Sequence, residues 1–296
     1  MNKLELLSVG PVFPLPPSYS RGGRLDLTKT KKYISYLSSE KVRTIMTTAG
    51  TSQYNLLSSE EIHNLNHCLY DSFSHTKIIG LPALNILALK EEIKYWNRNI
   101  KNKGNTFLMA LYPERYYNDT TIVKYFHTAA NLSKLPMLFH GMFMRNGKGG
   151  TYDYTSQLIN KIASHNNIYG MKEETSDLGK AFNVCKDIDK NDFCVIVAGG
   201  SIRRFNALQS TGVQSFLSGL GSMCPSQEIE YLKTRSDYFL QLETQLFDVF
   251  MEIGWHKAMR EAMRQMGYCD YNRQPFPSAT KIESYKIEKI LKVILK

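Results

Sequence analysis

Eight short apolar runs, separated by stretches of helical periodicity, constrain this 296-residue chain more than any other feature. In order they are Leu4 to Val12, Thr44 to Thr48, Lys77 to Leu81, Thr106 to Leu111, Pro136 to Phe139, Ile168 to Met171, Phe193 to Val197 and Val213 to Leu217. Strands buried on both faces need not alternate polar and apolar residues, and these do not. Between them, Ile62, Leu65, Leu69 and Phe73 fall at helical spacing, as do Ile122, Tyr125, Phe126 and Ala129, and then Leu158, Ile159 and Ile162. Strand and helix in eightfold repetition predict an α/β fold of the (β/α)₈ TIM barrel kind, for which about 250 residues suffice. An open doubly wound sheet produces a similar string. The count of runs, and the lack of a GxGxxG after the first, favour the barrel.

The strands stop near residue 225, so the barrel is expected over residues 1–225 and a C-terminal helical domain over 226–296. Ser226 to Met266 reads as two or three amphipathic helices. Trp255, Met259, Ala262, Met263 and Met266 form one stripe there, a packing surface rather than a ligand box. A turn-rich stretch follows, Asn272-Arg273-Gln274-Pro275-Phe276-Pro277, and then a basic last helix.

Composition narrows the partners. Hydrophobic residues at 43% and charged residues at 22% suit a folded soluble chain, and no run stays apolar for the roughly 18 residues of a membrane helix. The N-terminus carries Glu5 inside its apolar run, which reads as a first strand rather than a signal peptide, and the expected location is cytoplasmic. Cys68, Cys185, Cys194, Cys224 and Cys269 are odd in number and never form a CxxC pair, which argues against disulfides and zinc. A net charge of +10 raises the question of nucleic acid. The basic residues are spread out, however, and the runs Lys29 to Lys32 and Lys90 to Lys103 read as solvated helix faces. Neither nucleic acid nor membrane is expected as a partner.

In such a barrel the chemistry lies at the C-terminal ends of the strands. The sixth run ends Gly170-Met171-Lys172-Glu173-Glu174. A lysine closing an apolar strand is placed for partial burial, which favours the free amine and makes it a nucleophile toward a carbonyl. A surface lysine paired with Glu173 or Glu174 is the plainer alternative. The second run ends in Gly50, Thr51 and Ser52, whose N–H and hydroxyl groups suit a carboxylate, although such runs also make ordinary turns. After the fifth run, His140 could relay protons and Arg145 could grip a second carboxylate, against a packed histidine and a solvated arginine. Gly199 and Gly200 after the seventh run, and Gly219 and Gly221 after the eighth, either cup a phosphate or leave space beside Lys172. Space is favoured, because no basic residue stands in the eighth loop.

These residues resemble a known family, the dihydrodipicolinate synthase and N-acetylneuraminate lyase superfamily of class I aldolases. Gly170 to Asp177 is similar to its G-[IVM]-K-[DE]-x-[ST]-[GS]-[DN] strand. Leu57, Ser58 and Glu61 match its L-[ST]-x-x-E, while Ala49 to Gln53 is a degraded G-[TS]-T-G-E. Gly22 to Asp26 resembles D-G-x-[IL]-D, and Trp255 to Gly267 with Arg273, Pro275 and Phe276 resembles the C-terminal pattern.

The resemblance implies a lyase or aldolase acting on pyruvate or a 2-oxo-3-deoxy acid, with Lys172 forming a Schiff base that serves as electron sink. It implies a carboxylate held near Thr51, no metal or organic cofactor, and a homo-oligomer, dimer or tetramer. A narrower reading is 4-hydroxy-tetrahydrodipicolinate synthase, condensing pyruvate with aspartate semialdehyde. Another is a barrel that binds a small carboxylate without turnover. The family's strand-five tyrosine falls at Phe139, which cannot carry a proton. Either its replacement is His140 or a tyrosine of the Tyr112 to Tyr117 segment, in which Tyr112 aligns without gaps, or the normal aldol step is impaired.

Overall fold

Eight strands form one sheet in the order of the chain: β1 (Val12–Pro14), β2 (Thr44–Met46), β3 (Thr76–Leu81), β4 (Thr106–Ala110), β5 (Met137–Gly141), β6 (Ile168–Glu173), β7 (Cys194–Val197) and β8 (Ser215–Phe216). In this computed structural model, the residues described are 2–82, 85–101, 104–146, 149–189, 191–273, 275 and 277–295. Asn102 and Lys103 of the second basic run, Gly147 and Lys148 after the fifth, and Gln274 and Phe276 of the turn-rich stretch lie outside them. The ladders from β3 to β8 are parallel, and a parallel bridge from Val12 to Leu217 brings the first strand to the end of the last. With helices between successive strands, this is the (β/α)₈ barrel that the repeated pattern predicts, with a helical C-terminal extension.

The chain divides into two compact units, Met1–Val12 with His75–Leu217, and Phe13–Ser74 with Ser218–Lys296. In the first unit, helices Ile86–Asn99, Asp119–Leu132, Ser156–Ala163, Leu178–Lys186 and Ser201–Leu208 follow their strands. Their apolar stripes are buried: Ile122, Tyr125, Phe126 and Ala129 on one, Leu158, Ile159 and Ile162 on another. In the second unit, Pro225–Thr234, Asp237–Ile253, Trp255–Gln265 and Lys281–Ile294 are the C-terminal helices, and Met259, Ala262 and Met263 are buried in the third of them. None of the described helices is long and apolar enough to cross a membrane.

The start of the chain departs from expectation. Residues Lys3–Ser8 form a helix rather than the first half of a strand, and β1 begins only at Val12. The cause is local: the Asn2 side chain accepts from the Leu4 N–H while Glu5 accepts from the Asn2 N–H at 2.9 Å, a capping box that starts a helix whatever the following residues prefer.

The β5–β6 ladder positions everything that follows. Met137 pairs with Ile168, but Leu138 pairs with Gly170, so β6 carries one extra residue at Tyr169. From there the register is regular: Phe139 opposite Met171, His140 opposite Lys172, Gly141 opposite Glu173. On the other edge of β6, Gly170 lets the strand lie close to β7, since a Cβ there would lie 2.4 Å from the Cys194 carbonyl oxygen. Gly170→Ala should therefore cost about 1–3 kcal/mol by overpacking between two backbones. Urea unfolding of the variant checks this, and unchanged stability would mean that the strands can part at no cost.

Candidate active site

Side chains alternate faces along a strand, so the register sorts the residues of β5 and β6 into two sets. Leu138 and His140 share a face with Gly170 and Lys172, while Phe139 shares the opposite one with Met171 and Glu173. Phe139 is fully buried, its ring 5.0 Å from that of Phe126 on helix Asp119–Leu132 and 6.1 Å from Tyr154. The residue beside the lysine is thus His140, not Phe139. A shift of one residue turns a side chain to the other face, and a motif alignment blind to register makes that slip.

Lys172 is 3% exposed although it ends an apolar strand. Its Nζ stands 2.5 Å from Glu174 Oε2 and 3.0 Å from His140 Nε2, and those two atoms lie 2.7 Å apart. The plainer reading of a lysine paired with Glu174 is half right: the pair exists, but its lysine is buried, its carboxylate is partly exposed, and a histidine joins it. The Tyr112 ring stands edge-on to His140 at 6.2 Å between centroids. Three of the residues expected from the sequence, Lys172, His140 and Tyr112, are therefore together.

Burial, with the adjacent Lys172 charge, pushes the His140 imidazole down to about 4, so it is neutral at physiological pH. Burial alone would raise the Glu174 carboxyl. The Lys172 ammonium and the bond from His140 outweigh it and hold the group well below the usual carboxylate range. Burial raises the Tyr112 phenol, and the Glu174 charge adds to the effect.

On the opposite face Glu173, fully buried, anchors the strand end. It accepts from the Thr175 N–H at 2.7 Å and from the Thr175 hydroxyl, and Arg204 donates to it from Nε at 3.3 Å and from Nη2 at 3.0 Å. Arg204 Nη2 also donates to the Thr175 carbonyl at 2.6 Å. Burial raises the Glu173 carboxyl against the pull of Arg204. Neither Glu174 nor Arg204 was legible as a site residue, because their partners are set by register and by a helix one strand further on.

Gly199, after β7, has φ +78, and a Cβ there would lie 3.7 Å from Glu174 Cγ, so this glycine borders the cluster. Arg145 is half of a short antiparallel pair, Met144–Arg145 with Thr151–Tyr152. Its guanidinium is paired with Glu114, and its side chain is 62% exposed.

Gly50, Thr51 and Ser52 belong to the second unit. There the Ser52 hydroxyl accepts from the Thr48 N–H at 3.0 Å and donates to the Leu15 carbonyl at 2.6 Å, and Gln53 takes φ +52. Among the described residues the Gly50 and Thr51 N–H groups have no acceptor, and the buried Thr48 Oγ1 has no partner. Also in this unit, Ser58 and Glu61 form the capping box of helix Ser59–Ser72, and Arg273 Nη1 donates to Glu61 at 2.8 Å. Two of the motifs read from the sequence meet in that ion pair.

Two outcomes are expected. An imidazole held at about 4 in the fold against 6.5 when free contributes stability that is full above pH 6.5 and lost as pH falls toward 4. The stability difference between wild type and His140→Asn should shrink over that window in urea titrations at stepped pH, and a flat difference would contradict a buried neutral imidazole. Arg204→Met should cost about 3–5 kcal/mol, because it leaves a buried carboxylate without its cation. Denaturant midpoints check this.

Comparison with known proteins agrees with this architecture. Residues 10–294 match the dihydrodipicolinate synthetase family. A 4-hydroxy-tetrahydrodipicolinate synthase of Karelsulcia muelleri is 22% identical over 285 residues, 91% of this chain and 92% of that protein. The N-acetylneuraminate lyase of Fusobacterium nucleatum superposes with a TM-score of 0.82 at 17% identity, covering 98% of this chain and 100% of the other. A prophage protein of E. coli K12 from the dihydrodipicolinic acid synthase family, solved with pyruvate, also gives 0.82, at 16% identity over 97% and 98% of the two chains.

Proposed function

This chain belongs to the dihydrodipicolinate synthetase family, a family of lyases and aldolases acting on small molecules, and from that premise we propose that it forms a Schiff base with a 2-oxo acid through Lys172. One observation carries the reading. The Lys172 amine is held, buried, at the end of β6 within hydrogen-bond distance of two titratable groups, His140 and Glu174.

In this reading the amine attacks the ketone of pyruvate or of a 2-oxo-3-deoxy acid. The iminium then takes up the electron pair released or needed at the neighbouring carbon, so that a C–C bond is made or broken. A neutral His140 imidazole is the proton carrier on the lysine's face, the part that Phe139 cannot play. Tyr112, edge-on to it, bounds the space available to substrate. The unused N–H groups of Gly50 and Thr51, with the Ser52 turn that shapes them, suit a substrate carboxylate. Gly199 keeps the loop after β7 clear. Residues 1–225 act as the catalytic barrel and 226–296 as a helical appendage, and the working form is a homo-oligomer, a dimer or tetramer.

The name carried by the Karelsulcia muelleri relative favours a narrower reading, 4-hydroxy-tetrahydrodipicolinate synthase. In that version Arg145 would have to leave Glu114 to meet a second carboxylate.

Treatment with pyruvate and borohydride should add one reduced pyruvyl group to Lys172, seen by peptide mass, and Lys172→Ala should abolish it. No adduct with pyruvate or with any 2-oxo-3-deoxy sugar acid would overturn the reading.

A further inference from the structure

An ammonium cannot attack a ketone until it has shed a proton. Among the described residues two groups lie within hydrogen-bond reach of Lys172 Nζ, and the geometry separates their roles. His140 Nδ1 is buried with no partner. With its proton on Nδ1 the imidazole would bury an N–H without an acceptor and turn a lone pair toward the Glu174 oxygen 2.7 Å away. With its proton on Nε2 it donates to that oxygen instead. The tautomer assigned on these grounds leaves Nε2, the nitrogen that faces the lysine, no lone pair for its proton. Glu174 Oε2, 2.5 Å from Nζ, is the acceptor.

We propose that Glu174 is a catalytic residue: its carboxylate takes a proton from the Lys172 ammonium to release the amine, and later gives it to the departing hydroxyl of the carbinolamine. This rests on the Schiff-base reading and deepens it.

The steps balance. The proton moves from Nζ to Oε2, leaving a neutral amine and a carboxylic acid. The nitrogen lone pair forms the N–C bond while the carbonyl π pair moves onto oxygen, and one nitrogen proton passes to that oxygen, giving the carbinolamine. The Glu174 proton then joins the hydroxyl, the C–O bond breaks, water leaves, and the nitrogen lone pair closes the C=N⁺ bond. Carboxylate is restored, and an ammonium and a ketone have become an iminium and water.

The pair is suited to this because its charges are coupled. The carboxyl is a weak base only while the ammonium stands beside it. Once the proton has crossed, that hold is gone and partial burial favours the acid form. The other titratable groups felt by this cluster are His140, Tyr112 and Glu173. In the strand motif Glu174 occupies the position where any residue is allowed, so the motif itself does not assign it a role.

The test is the rate of borohydride-trapped pyruvate adduct on Lys172 in wild type, Glu174→Gln and Glu174→Asp, followed by mass across a pH series from neutral into the alkaline range. The glutamine variant should form adduct about 10²-fold more slowly at neutral pH, the usual scale of one acid–base group. Its deficit should close as bulk solvent deprotonates the amine at high pH, and the aspartate variant should recover part of the rate. A glutamine variant that traps at the wild-type rate overturns the proposal and leaves the Schiff-base reading standing. So does a deficit that persists unchanged at high pH, which marks mere damage to the site. Wild type without any adduct overturns both. If the glutamine variant does not fold, the aspartate variant decides: a wild-type rate, or a deficit that persists at high pH, counts against the proposal, and a slower rate whose deficit closes at high pH counts for it.

Discussion

The pairing of β5 with β6 is the constraint on which the rest of the site depends. One extra residue at Tyr169 sets the phase of β6, and the alternation of side chains then does the sorting. His140 and Lys172 come to one face and Phe139 and Glu173 to the other without any loop having to be placed. Gly170 lets β6 lie close to β7, and the Arg204 contacts to Glu173 and Thr175 hold the strand end from the opposite side. The reactive face and the anchoring face are thus consecutive residues of one strand, and neither can shift without the other.

Electrostatics gives this arrangement its character. Burying an ammonium is costly, and a single carboxylate repays that cost only with short, well-directed contacts. Glu174 supplies such a contact to Lys172 and also receives His140, so one oxygen compensates two donors. Glu173, one residue earlier, meets its cation on the other side of the strand. Two adjacent carboxylates therefore serve separate cations on the two sides of the strand, although the Glu174 charge still adds to the rise of the Glu173 carboxyl.

Much of the fold was legible because barrel strands are apolar on both faces and each appears as a run. Boundaries were less so. A reading that stops at the first polar residue ends the fifth strand at Phe139 and the sixth at Met171, whereas His140, Lys172 and Glu173 all lie within the ladder. The opening helix was hidden because its cap, two side-chain contacts at Asn2 and Glu5, outweighs the apolar pattern that follows. Lys172, His140 and Tyr112 were readable from their places after strands. Glu174 was not, because its meaning depends on which of two adjacent acids faces the lysine, and a register offset by one extra residue decides that.

The tight hold on Lys172 also bears on how much order a substrate must impose. A free lysine side chain gives up about 1.5–2 kcal/mol of rotamer freedom when it is fixed. Here its amine is already tethered by Glu174 within a buried setting, so that freedom is lost when the chain folds and not when the substrate arrives. A small 2-oxo acid, with few atoms to contribute binding energy, would meet a nucleophile whose position has been settled beforehand.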